Sequence, residues 1–218
     1  MPNFSEWRSD LDRWGFRQFL HLHLMSKLRR WLVLSQVRLR FQEADASELG
    51  NSVAGCTVRL ADRDDLVAAA RDPQFGLVRA HVDAALARGD ICAAAFDGDR
   101  MVSYVWRSFS SARTVTTCGQ RFKSRTAMGT KGFTQPEYRG RRIQNTVALF
   151  TDALCVARGH THSFSLIETH NFASIQSELR RHSQVVGWVG YFKFFGRTYP
   201  FRSTGARRTG IRLWHASS

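Results

Sequence analysis

One run of residues has the makings of an anion-binding turn. From Thr134 to Gln144 an extended segment gives way to a helical one through Pro136, Glu137, Tyr138, Arg139, Gly140, Arg141, Arg142 and Ile143. A strand handing its chain to a helix presents free backbone N–H groups at the helix N-terminus, and such a terminus attracts anions. Arg139, Gly140, Arg141 and Arg142 combine those amides with the positive end of the helix dipole and guanidinium charge, which makes them phosphate-binding candidates. Further on, Glu168 closes the apolar strand 164–167, where a carboxylate can act as a general base directly or through water. His170 is a second base candidate. Asn171 opens the next helical stretch as an N-cap and stands three residues before Ser174.

The two segments together resemble the cofactor-binding core of the GNAT acetyltransferase superfamily. Pro136, Glu137, Tyr138, Arg139 and Gly140 are similar to the turn after that family's splayed fourth strand, and Asn171 with Ser174 to the helix start after its fifth. The resemblance covers roughly residues 56–195. It implies an α/β fold with a GNAT-like mixed central sheet flanked by helices, and acetyl-CoA or a longer acyl-CoA as donor, without a metal. It places the donor against Thr134, Arg139, Gly140, Arg141, Arg142, Ile143, Gln144, Asn171 and Ser174. The chain departs from the pattern where small residues usually stand, with Arg142 and Gln144 in the phosphate loop. Glu178 occupies the place of a tyrosine that can protonate the leaving thiolate. With a raised pKa Glu178 could serve, and Tyr191 and Tyr199 are alternative acids if the sheet brings them over the cleft. Acyl transfer to an amine needs a held donor, a proton acceptor and a stabilised oxyanion.

Composition sets the frame for these residues. The 218 residues suit one domain, or one with a terminal extension, and 43% hydrophobic content with 16 Phe excludes global disorder. A net charge of +14 favours anionic partners. The candidates are phosphates, an acidic acyl carrier protein, an anionic membrane surface and nucleic acid, the last ranked lowest because the aromatics near 188–195 read as a buried hairpin face. Coulomb attraction further favours an amine acceptor with a negative charge, because the loops expected around the cleft, 72–76, 110–126 and the closing hairpin, read as basic or apolar. Cys56, Cys92, Cys118 and Cys155 are widely spaced and read as thiols of a reducing compartment. His21 with His23 and His160 with His162 lack nearby Cys or carboxylate ligands and read as solvent-exposed. No apolar run reaches about 20 residues, and Glu6, Asp10 and Asp12 do not resemble a cleavable signal, so a cytoplasmic location is expected, with a membrane-peripheral one as the alternative.

The elements that position the candidates follow from periodicity. Phe16, Leu20, Leu24, Leu28 and Leu32 recur every four residues beside Arg13, Arg17, Lys27 and Arg30. That predicts an amphipathic helix over 14–35, docked on its own domain, paired with a second copy in a homodimer, or laid on a membrane. Residues 1–50 accordingly read as a helical N-terminal extension with a linker at 43–52, and 51–218 as the acyltransferase domain. The domain begins with a strand at 56–60 and helices at 63–71 and 75–88. Strands at 91–96 and 101–109 flank a turn at 97–99, and a hairpin turns around Gly196.

Overall fold

The computed structural model describes residues 4–41, 52–109, 111–113, 118–121 and 125–215. The amphipathic N-terminus is two helices, α1 (Phe4–Trp14) and α2 (Phe16–Leu28), broken at Gly15, whose φ of 76° ends the first. The helix expected through Ser35 stops at Leu28, and β1 (Leu32–Phe41) follows as a strand. After it come β2 (Ser52–Val53), β3 (Cys56–Leu60), α3 (Arg63–Ala69) and α4 (Arg79–Ala87). Asp62 and Asp65 form a reciprocal capping box that starts α3. The second helix is shorter than the expected 75–88, because Pro73–Phe75 forms a separate 3₁₀ turn closed by Gly76 in the left-handed region.

The middle of the chain supplies β4 (Ile91–Asp97), β5 (Arg100–Ser108), β6 (Ser111–Arg113), β7 (Cys118–Arg121) and β8 (Thr126–Thr134). Then come α5 (Ile143–Ala157), β9 (His162–Glu168), α6 (Phe172–Arg180), β10 (Gln184–Phe194), β11 (Arg197–Arg202), α7 (Thr204–Arg208) and β12 (Arg212–His215). A nine-stranded mixed sheet runs β11-β10-β1-β9-β8-β5-β4-β3-β2, and β12-β7-β6 forms a second sheet. Among the described residues, only β8 and β9 pair in parallel. The uninterrupted apolar run of β4 fits a strand covered on both faces. Cys92, Ala94 and Phe96 meet α3 and α4 on one side, and Ala93 and Ala95 meet Ile143, Val147 and Ala148 of α5 on the other.

The N-terminal segment is therefore part of the sheet. β1 lies between β9 and β10, antiparallel to both, with Val37 fully buried. The boundary expected near residue 50 falls in 42–51, outside the described residues. In the closing hairpin, Gly190 lies where a Cβ would run into the Val33 carbonyl oxygen, so its lack of a side chain lets β10 close on β1. Cys56, Cys92 and Cys155 are buried thiols. Among the described residues no helix is long and apolar enough to cross a membrane.

Candidate active site

β8 and β9 pair from Thr126 with His162 to Gly129 with Ser165, and there the ladder ends. Both strands continue, β8 to Thr134 along β5 and β9 to Glu168 along β1. The sheet thus forks, leaving one edge of residues 130–134 without a strand partner. On β8 the partners step from Gly129 opposite Arg107 to Gly132 opposite Val105, three residues against two. The extra residue is a β-bulge at Thr130–Lys131, which redirects backbone groups at the mouth of the fork. Gly132 leaves room for the Gln144 amide, which lies 2.7 Å from where a Cβ would stand.

The turn above β8 is rigidly seated. Thr134 is buried and shares a 2.8 Å hydroxyl hydrogen bond with Ser103, while its carbonyl accepts from Arg139 Nε at 3.2 Å. Tyr138 donates to Asp97 at 2.5 Å and Glu137 pairs with Arg100 at 2.8 Å, so both are structural. Gly140 and Arg142 take positive φ, 80° and 60°. The left-handed residue ahead of α5 is therefore an arginine, where a residue with a Cβ is strained by about 1–2 kcal/mol. The N–H groups of Gly140, Arg141 and Arg142 have no acceptor among the described residues. The same holds of the Arg141 and Arg142 guanidinium groups for ion pairs, although Arg141 lies over the Tyr138 ring. The Ile143 side chain is buried in the core, which leaves only its backbone for a ligand. Asn171 caps α6, its side chain accepting from Ser174 N at 3.2 Å.

At the open end of the fork Glu168 accepts from Arg29 at 2.8 Å and lies 3.6 Å from His170 Nε2. Burial, with Arg29 and His21 adding repulsion, holds the His170 pKa below its ordinary value despite Glu168. The ring is thus neutral near pH 7 and able to accept a proton. His21 and Arg29 reach this place from α2, His21 bonding Thr169 at 3.0 Å. Sequence reasoning did not find them: the pattern of His21 and His23 was visible, but nothing local ties it to residues about 148 positions away.

Other candidates lie away from the open end of the fork. Glu178 is buried, paired with Arg181 at 2.5 Å and accepting from Ser165 at 3.1 Å. Burial alone would raise its pKa, but Arg181, Arg40 and Arg107 outweigh that and hold it low, so Glu178 is an ionised partner and not the proton donor considered above. Tyr191 pairs with Val33 on the far side of β1, two strand spacings or about 10 Å from β9. Tyr199 is one strand farther, stacked on Phe192. The histidines expected in solvent are half-buried packing residues: His23 lies against Phe19 and Trp7, and His160 stacks on Phe109 at 4.6 Å. No group able to hold a metal occurs among the described residues.

On the opposite face of the sheet from α5, a cleft of about 290 Å³ opens beside the end of β8. Asp65, Asp72, Asp99, Arg100 and Gln135 line it with Phe75, Phe96 and Met101. The loop 72–76, expected to be basic or apolar, thus adds a carboxylate to a negative lining. The irregular stretch 110–126 lies largely outside the described residues.

No protein-family model and no curated protein matches the sequence. Solved structures share its architecture, among them these two. A protein from Drosophila superposes with a TM-score of 0.55 at 11% identity, over 81% of this chain and 57% of its own. A GCN5-related N-acetyltransferase from Sphaerobacter thermophilus does so with 0.52 at 12% identity, over 84% of this chain and 55% of its own. The aligned region spans little more than half of either, and at these identities the likeness is one of fold.

Proposed function

We propose that this chain, which has the GNAT fold, transfers an acyl group from an acyl-CoA thioester to the amine of a small acceptor. The observation that carries the reading is the fork: β8 and β9 part where the N-terminus of α5, Arg141, Arg142 and the Asn171 cap all open. The residues present suit the donor. Free amides at 140–142 and two unpaired guanidinium groups match its phosphates. The partnerless edge of β8 suits an amide-bearing arm that needs backbone hydrogen bonds. When bound, the donor supplies the activated acyl carbon.

His170 takes the proton of the acceptor amine as its nitrogen attacks that carbon. Glu168 and Arg29 hold the ring's surroundings in place. Backbone N–H groups at the bulge stabilise the oxyanion. The C–N bond forms, the C–S bond breaks, and the proton on His170 passes to the thiolate. The cleft beside β8 carries Asp65, Asp72 and Asp99 against Arg100, which favours a cationic or neutral amine there as an alternative to the anionic acceptor expected from net charge. Release of free thiol from acetyl-CoA and longer acyl-CoA across an amine panel tests the reading. Turnover lost in His170→Gln supports it; unchanged turnover in that variant refutes the role of His170.

A second reading places the reaction at a membrane surface, with a carrier protein as an alternative acyl donor. The α1–α2 pair docks through Trp14, His21 and Met25, and leaves Phe16, Leu20, Leu24 and nearby Trp31 each more than half exposed. With Arg17 and Lys27 alongside, this face suits an anionic bilayer. Flotation with anionic vesicles should fall in a Leu20→Glu/Leu24→Glu variant; equal flotation removes the reading.

A further inference from the structure

Beneath α5 and α6 the sheet carries charges that do not cancel. The register sets Arg38, Ser165, Gly129 and Arg107 side by side across β1, β9, β8 and β5, with Arg40 beside Ser163 two residues along. Gly129 has no side chain, so Arg107 and Ser165 approach each other across it. Arg40 and Arg107 take the two carboxylate oxygens of Asp152, and Arg181 takes Glu178. Among the described residues Arg38 gives its N–H groups to neutral acceptors, the Ser183 hydroxyl and carbonyl and the Gln36 amide.

Four guanidinium groups therefore surround two carboxylates. Arg38, Arg40, Arg107, Asp152 and Glu178 are all at least nine-tenths buried. Arg40 Nη1, Arg181 Nε and Arg181 Nη1 are buried without a hydrogen-bond acceptor among the described residues. Arginine does not shed its proton to escape such a setting. Burial depresses the pKa of Arg40 and Arg107, and repulsion from Arg181 adds to it in both. Among the described residues, four buried cations against two carboxylates leave Arg38 without an anion and three guanidinium N–H groups without an acceptor, which calls for a further counter-charge.

We propose that this cluster binds a small oxyanion, a carboxylate or phosphate-type group, through Arg181 and Arg40, with Arg107 and Arg38 supplying the surrounding positive field. The planar donor fork of arginine matches such a group. Ser165 is half-buried at the last paired rung of the fork and touches Glu178, so the cluster forms the floor below the fork. The oxyanion can come from two sources: a free anion, or a carboxylate at the far end of the acyl chain. Only the second rests on the acyltransferase reading.

The test is melting of the full chain at constant ionic strength against inorganic phosphate, sulfate and acetate. Ligands that bind only the folded state raise the melting temperature saturably. A saturable rise is expected that needs about tenfold more anion in Arg181→Gln, as loss of a charged hydrogen-bonding partner implies. Arg181→Lys, which keeps the charge and loses the fork, should fall between. Arg63→Gln, a surface change, should match the parent. In the second arm, succinyl-CoA should bind more tightly than acetyl-CoA, with the preference lost in Arg181→Gln, if the acyl chain supplies the carboxylate. A non-saturating shift equal in parent and Arg181→Gln, with no preference for succinyl-CoA, overturns the proposal. If neither thioester binds, the acyltransferase reading fails while the anion titration still decides this site.

Discussion

Deleting residues 1–51 should abolish cooperative folding. β1 makes eight register pairs with β10 and seven with β9, so it holds the β10–β11 hairpin to the rest of the sheet. Each pair corresponds to about one ladder hydrogen bond worth a net 0.5–1.5 kcal/mol, which puts the backbone contribution alone on the order of 10 kcal/mol. Burial of Val33 and Val37 adds roughly 1.5–3 kcal/mol for each side chain. The total stability of a domain this size is about 5–15 kcal/mol. Removing β1 also strips Asp152 of one of its two arginines. The assay is thermal melting by circular dichroism of fragment 52–218 against the full chain, with segment 1–51 then supplied in trans. The fragment should show no sharp transition, and the added segment should restore one. A fragment that melts sharply within a few degrees of the full chain would refute the reasoning and restore the N-terminus as an appendage.

Other consequences are local. Arg142→Gly relieves the positive φ ahead of α5 and should stabilise the chain by about 1 kcal/mol, raising the melting temperature by about 2–4 °C; a lower value contradicts the strain. Gly190→Ala drives a methyl group toward the Val33 carbonyl and the Phe201 ring and should cost at least about 1–3 kcal/mol in urea unfolding. Asn171→Ala removes the α6 cap at a cost of about 1 kcal/mol by the same measurement, and an unchanged midpoint would show the cap to be idle. His170 must be neutral to accept a proton, and its depressed pKa places its acid limb of kcat/KM below pH 6.5 when the profile is read with an amine acceptor that is neutral across the range: activity rises with pH through that limb. A limb above pH 6.5 would assign the proton to another group.

The sequence was most readable where its signals are local. Asp62 three residues before Asp65, the turn Asp97-Gly98-Asp99 and the Asn171 cap each fix an element end through neighbours, and β3, β4, β5 and α6 lie where periodicity puts them. β1 was hidden by two overlapping patterns. Leu20, Leu24, Leu28 and Leu32 continue a helical spacing into the strand, and the buried Arg38 and Arg40 look like the basic face of a helix. Their burial depends on Ser183 and Asp152, more than a hundred residues away. The site divides the same way. The turn from Thr134 to Gln144 and the pair Glu168 and His170 were legible, whereas the approach of Arg29 and His21 and the pairing of Glu178 with Arg181 depend on how the helices pack.

The central claim, that the fork and the turn above it hold an acyl thioester by its phosphates, is tested most directly by calorimetric titration of the full chain with acetyl-CoA and a longer acyl-CoA, beside an Arg141→Glu/Arg142→Glu variant. Both side chains are exposed, so the variant keeps its fold. Saturable binding to the parent, weakened about a hundredfold by reversing two charges at the phosphates, is the predicted result. Absence of binding by either thioester, or equal affinity in the variant, would contradict it.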